Sequence, residues 1–196
     1  MRTPISRSDL LYRGSRIIAS NISGKPTARA FLGTKCFSEV CGTDIKEAIS
    51  EMKNVIDTRI QNRPDGIPTV EEYEYALSAL RDELSRDHLA MLKAHCEARA
   101  DHTSGEFEDR TMSAEQLAEA AHHDGYDAAN LHYGLLGRRV AELLDYPPPL
   151  SEERGEPLWI DVLAIGKRSD QGRGGWNWTL RPEVALALER LGWIVW

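Results

Sequence analysis

"EAAHHDGYDAANLHYGLLGRRVAELL", residues 119–144, sets a short apolar-periodic segment, a glycine-bearing break and a longer amphipathic segment end to end. At 100° per residue, Ala129, Tyr133, Leu136, Val140, Leu143 and Leu144 share one face of a helix running over about 126–144, with His132 on its edge. The opposite face carries Asp127, Asn130, Leu131, Gly134 and Arg138. "DYPPPL" ends this helix, since proline cannot continue it. Upstream, Ser113 precedes "AEQLAEAA" with Gln116 three residues on, the spacing of a capping box. A short helix therefore comes first, and "HHDG" breaks it.

Downstream, "PLWIDVLAIG" reads as a strand, "KRSDQGRGG" as a loop tip and "WNWTL" as a returning strand. "RPEVALALERLG" is a last helix with Pro182 near its first turn. All five tryptophans fall in the final 38 residues, which predicts a compact aromatic core there. With a first helix at 88–98, the order becomes helix, helix, turn, longer helix, two-stranded hairpin. That is the element order of a winged helix-turn-helix, and residues 110–196 are assigned to a winged-helix-like domain.

The first 62 residues read as a ββα module. "LLYRGSRIIAS" is a β-rich run, "NISGKPT" a turn and "ARAFLGTKCF" a second strand. Thr43 is placed to cap a helix through about Ile60, whose apolar residues Ile45, Ala48, Ile49, Met52, Ile56 and Ile60 recur at three and four. "QNRPDGIPT" is the clearest linker. After it, residues 63–109 form an acidic helical segment, one long helix or two short ones, with a stripe of Val70, Tyr73, Leu77, Leu80 and Leu84. The fold class is α+β.

Charge divides the same way. Residues 1–62 carry ten Lys/Arg against six Asp/Glu, residues 63–109 five against twelve, and residues 110–196 nine against thirteen. The net charge of −7 departs from that of a dedicated nucleic-acid binder, which is usually basic because phosphate neutralisation supplies affinity. No stretch approaches the roughly 18 apolar residues of a membrane span. The start lacks the apolar run of a secretory signal, and three irregularly spaced cysteines suggest reduced thiols, so a cytoplasmic protein is expected.

Little catalytic chemistry is legible. His88, His95, Cys96 and His102 lie close in sequence, but structural zinc usually shows paired ligands on both sides of a loop, and the second pair is missing. His122 and His123 are adjacent and diverge on a regular backbone. No metal ligand set and no cofactor are expected. "ADH" and "ANLH" echo pieces of an HNH nuclease motif, but Arg138 stands where the closing histidine would fall. "GRGG" lacks the Lys-Ser/Thr of a phosphate loop, and no G-x-S-x-G elbow occurs. A non-catalytic protein is expected.

"LYRGSRI…ARAFLGTKCF" resembles the amino-terminal module of small uncharacterised phage and prophage proteins. "MSAEQLAEAAHHDGYDAANLHYGLLGRRVAELL", with "LWIDVLAIG" and "WNWTLRPEVALALERLGW", is similar to a module found beside restriction-type HNH nuclease domains. The resemblance covers about two thirds of the chain and implies a setting of mobile DNA and host defence; it brings no catalytic residue.

Two functions follow as expectations. In the first, the protein binds nucleic acid through Asn130, Arg138, Arg139, Lys167, Arg168 and Arg173. Asn and Arg there pair with base edges, and the basic amino-terminal residues Arg13, Arg16, Lys25, Arg29 and Lys35 make a second phosphate contact. In the second, an anti-CRISPR-like inhibitor meets a host defence complex through Glu71, Glu72, Glu74, Asp82, Glu83 and Asp87, an acidic surface suited to a basic channel. Leu131, Leu135 and the terminal "LGWIVW" offer a homodimer contact.

Overall fold

Two-residue turns recur every ten positions near the amino terminus, at Arg13 and Gly14, Ser23 and Gly24, and Gly33 and Thr34. The computed structural model, which describes residues 7–99, 109–168 and 175–194, resolves this period into four strands. They are β1 (Ser8–Tyr12), β2 (Ser15–Ile22), β3 (Lys25–Leu32) and β4 (Lys35–Cys41), an antiparallel meander in the order β1-β2-β3-β4. In the first two turns both central residues have positive φ, the geometry whose twist matches that of the flanking strands. The expected ββα module is therefore ββββα. Two of its turns lie inside runs whose composition reads as unbroken strand.

α1 (Ile45–Gln61) crosses one face of this sheet. Its N-cap is Asp44 and not Thr43: the Asp44 carboxylate accepts the Glu47 N–H at 2.8 Å, while the Thr43 backbone N–H donates to the Glu47 carboxylate. Ala48, Met52 and Ile56 of α1 bury against Ile17, Ala19, Ala28 and Ala30.

The middle segment is two helices, α2 (Val70–Leu80) and α3 (Arg86–Glu97), separated by a 3₁₀ turn at Arg81–Glu83. It does not act as a connector. Tyr73, Leu77, Leu80, Met91 and Leu92 belong to the same core as Leu117, Tyr133, Val140, Leu163, Leu180 and Leu188. That core also takes in α4 (Ala114–Ala120), α5 (Tyr126–Leu144) and α6 (Pro182–Arg190). The expected capping box is present on α4, with Ser113 and Gln116 each satisfying the other's backbone N–H.

A second sheet closes this half. β5 (Thr111–Ser113), β6 (Ala164–Arg168) and β7 (Trp176–Leu180) are antiparallel in the order β5-β7-β6. The strand expected across 157–166 begins only at Ala164, because Trp159–Val162 forms a 3₁₀ turn that packs on α5. At their contact a Cβ on Gly137 would lie 2.0 Å from the Trp159 carbonyl oxygen. Only a glycine lets these backbones approach. Of the tryptophans, Trp178 is buried and Trp176 is 52% exposed, so the aromatic supply is only partly core.

His95 is fully buried in the second core. Its Nε2 lies 2.7 Å from the Trp178 carbonyl, which can only accept, so Nε2 carries the proton. Nδ1 then accepts from the Tyr133 hydroxyl at 3.1 Å. Burial pushes the His95 pKa down to about 4.

The two cores meet at the carboxyl end of α5. Arg13 bridges Asp57 of α1 and Asp145, the left-handed residue that ends α5. Gly14 beside it sits so close to α5 that a Cβ would fall 2.1 Å from the Leu143 carbonyl oxygen. Arg63 donates to the Leu144 carbonyl at 2.6 Å and the Asp145 carbonyl at 3.4 Å, meeting the orphan acceptors and the negative end of the helix dipole.

Candidate nucleic-acid interface

α5 is fixed from three sides: α4 and α3 pack near its amino-terminal half, the 3₁₀ turn at Gly137, and the amino-terminal module at its carboxyl end. Ala129, Tyr133, Leu136, Val140 and Leu144 of the expected inner face are buried, Leu143 is half-buried, and Gly137 and Ala141 join the buried set. The outer face is left to solvent. Asp127 and Arg138 are exposed, Leu131 and Leu135 are 60% and 50% exposed, and Asn130 is half-buried. A Cβ at Gly134 would meet nothing within 4 Å.

The charges on this face are balanced. Arg138 Nε donates to Glu142 Oε1 at 2.9 Å, one helical turn on, and its guanidinium lies 5.8 Å from the Trp159 ring centroid. Arg139 reaches back to Glu83. All four side chains are more than half exposed, and such pairs contribute little in water, so either guanidinium is available to a phosphate at small energetic cost. Lys167 and Arg168 are exposed at the end of β6, opposite Asn177 and Trp176 of β7. Arg173 lies outside the described residues.

The basic residues of the first module are largely engaged within the chain. Arg16 pairs with Asp9 and Arg29 with Glu39 across strands, and Arg13 belongs to the joint between the cores. Of these, only Arg13 is withdrawn from the expected second phosphate contact; the exposed pairs of Arg16 and Arg29 are as weak as those of Arg138 and Arg139.

The acidic set is also altered. Glu72 is buried, 3% exposed, and so is no part of an acidic surface. Its carboxylate accepts from Arg63 Nη2 at 3.0 Å, from Arg63 Nε at 3.2 Å and from the Thr69 N–H at 2.8 Å, completing a capping box with Thr69. The signal was the Thr-x-x-Glu at 69–72 directly after the proline-rich linker. Glu71 and Glu74 pair with Arg190 of α6, and the Arg190 hydrogen bond holds the Glu71 carboxyl below its ordinary range. Glu83 pairs with Arg139 and Asp87 with His123, while Asp82 is exposed.

One constellation had no counterpart in the sequence spacing. Asp87 from the first turn of α3, His123 from the α4–α5 connection and His132 from α5 place one potential ligand atom each within 4.8 Å of the others. His88 stands edge-on to His132, ring centroids 5.0 Å apart, and burial together with the nearby His132 lowers its pKa. The residues are 36 to 45 positions apart along the chain except for the 123–132 pair, so only the packing of α3 on α5 unites them.

No family model, no curated protein and no solved structure matches this chain. Among the described residues no helix is long and apolar enough to cross a membrane.

Proposed function

We propose that the carboxyl-terminal half is a winged-helix-like domain that binds nucleic acid without catalysis. In this reading α5 enters a groove, and the β6–β7 hairpin is the wing. The observation that carries it is the outer face of α5, open from Asp127 to Arg138 while every other side of the helix is packed. The chain order α3, β5, α4, α5, β6, β7 follows the helix, helix, turn, helix, hairpin order expected from the sequence, and this supports the reading. Asn130 and Arg138 supply base-edge donors and acceptors. Arg139, Lys167 and Arg168 supply phosphate contacts, with Arg173 a further candidate.

Fluorescence anisotropy of a labelled duplex tests the reading. Affinity should fall by about 10³-fold or more between roughly 50 and 200 mM salt if six phosphates are engaged, the logarithm of the loss shrinking in proportion if fewer are. Absence of duplex binding at the low-salt end would rule the reading out.

A protein contact is the second reading, favoured by one feature of the same face: Leu131 and Leu135 are exposed side by side, one turn apart. They suit a second copy of the chain or a host protein. The inhibitor variant, in which acidic helices enter a basic channel of a defence complex, loses Glu72, which is buried against Arg63, while its exposed carboxylates sit in ion pairs as weak as those of Arg138 and Arg139. The setting in mobile DNA suggested by the sequence resemblance accommodates either reading.

A further inference from the structure

The Asp87, His123 and His132 side chains converge on a point between α3 and α5. His123 Nε2 lies 3.2 Å and His132 Nε2 3.7 Å from the same carboxylate oxygen, Asp87 Oδ2. A tetrahedral ion with bonds of about 2.0–2.1 Å separates its ligand atoms by roughly 3.3 Å. The observed spacings bracket that edge length, and both Nε2 atoms face the same carboxylate oxygen.

His123 Nε2 and Asp87 Oδ2 are within hydrogen-bond distance at 3.2 Å, but the polar atoms around them are not all paired. Among the described residues, the buried side-chain nitrogen and oxygen atoms without a hydrogen-bond partner are His88 Nε2 and His132 Nδ1. Both belong here. Neither is a ligand atom: His132 Nδ1 is the far nitrogen of a ring whose Nε2 faces Asp87, and the donor set itself is what points to an ion.

We propose that Asp87, His123 and His132 form a binding site for a divalent transition-metal ion of the zinc class. Two imidazoles and one carboxylate are a donor set that prefers such an ion over magnesium or calcium, which take oxygen ligands. His88 is a neighbour of the site and not a ligand: its Nδ1 accepts from the Ser85 N–H at 3.2 Å, which fixes the proton on Nε2. Three protein ligands leave a coordination position for solvent. The side chains are 22% to 38% exposed, so the ion exchanges with bulk. Bound there, it ties the α4–α5 connection and α5 to the start of α3 in one coordination sphere.

The test uses the full chain without an affinity tag, stripped with chelator and titrated with Zn²⁺ by calorimetry and with Co²⁺ by visible absorption. One equivalent should bind, with the intense visible bands of low-symmetry four-coordinate Co²⁺, and should raise the melting temperature reversibly. His123→Gln and Asp87→Asn should each weaken Zn²⁺ by more than the ~10–100-fold typical of losing a mere supporting residue. His122→Asn, outside the cluster and at a left-handed position that Asn tolerates, should leave the titration unchanged. Circular dichroism confirms that each variant folds, and His123 and Asp87, both more exposed than His132, are the ligands whose replacement disturbs packing least. No stoichiometric binding by the wild type, or equal binding by His123→Gln and Asp87→Asn, overturns the proposal. Either result stands apart from any measurement of nucleic-acid affinity.

Discussion

Arg63 and Glu72 form a bidentate ion pair in which both side chains are less than 5% exposed, at the seam between the two cores. Arg63 also serves the last carbonyls of α5, whereas Glu72 has the additional duty of capping α2. The two residues therefore differ in what their loss exposes. Arg63→Met leaves the buried carboxylate with only Arg59, 3.7 Å away, and the Thr69 N–H, strands two helix-end carbonyls, and should cost about 3 kcal/mol, the low end for a broken buried pair. Glu72→Gln keeps one acceptor and a neutral partner and should cost about 1–3 kcal/mol. Urea denaturation of both variants decides; equal effects would mean that the carbonyl contacts contribute nothing.

The glycines of α5 behave oppositely. Gly134 faces open solvent, so Gly134→Ala should stabilise by about 0.5–1 kcal/mol through helix propensity alone. Gly137→Ala drives a methyl into the Trp159 carbonyl and should destabilise by about 1–3 kcal/mol or more. Thermal melts of the pair check the register of α5 against the 3₁₀ turn at 159–162. Stabilisation by both would show that this contact is misplaced.

Acid should weaken the second core through His95. Its folded pKa of about 4 lies below the ordinary value of 6.5, so between these values the unfolded chain binds the extra proton. Stability from this group is complete above about pH 6.5 and is lost as pH falls through 4, a total of about 3 kcal/mol. Protonation puts a second donor on Nδ1, against the Tyr133 hydroxyl that donates to it. Unfolding free energies measured from pH 7 to pH 4 should fall more steeply for the wild type than for His95→Gln. Parallel curves would place the acid sensitivity elsewhere.

The helices were legible because their signals are local. The inner face of α5, the Ser113 capping box and the start of α6 at Pro182 each follow from residues within one or two turns. The four-stranded meander was half hidden, since Arg13 with Gly14 and Gly33 with Thr34 are weaker turn signals than Asn-Gly and lie between β-rich residues. The period of ten between Gly14, Gly24 and the Gly33 turn was the available clue. What no local rule reveals is long-range pairing. Glu72 reads as one more surface carboxylate until Arg63 folds onto it, and Gly137 reads as an ordinary helix defect until Trp159 arrives. The convergence of Asp87, His123 and His132 likewise exists only after α3 packs on α5. On the proposed interface, the opposite-face residues are where the helical period put them, but the pairing of Arg138 and Arg139 with carboxylates depends on neighbours the period does not describe.

Exposed ion pairs on the proposed interface should matter for binding and not for folding. Arg138→Ala removes a contact with Glu142 in which both partners are more than half exposed, and the change in stability should stay within about 0.5 kcal/mol. Denaturation of this variant checks the point; a loss above 1 kcal/mol would indicate that the Trp159 contact makes Arg138 part of the core packing.

Gly134→Glu tests the account's central claim most directly, because it places a carboxylate in the middle of the open α5 face where nothing in the chain obstructs it. The variant should fold with unchanged or slightly higher stability and lose at least about tenfold in duplex affinity at low salt, the low end of what one lost base contact costs. Duplex binding as tight as that of the wild type, in a variant that is fully folded, would contradict the assignment of this face to nucleic acid.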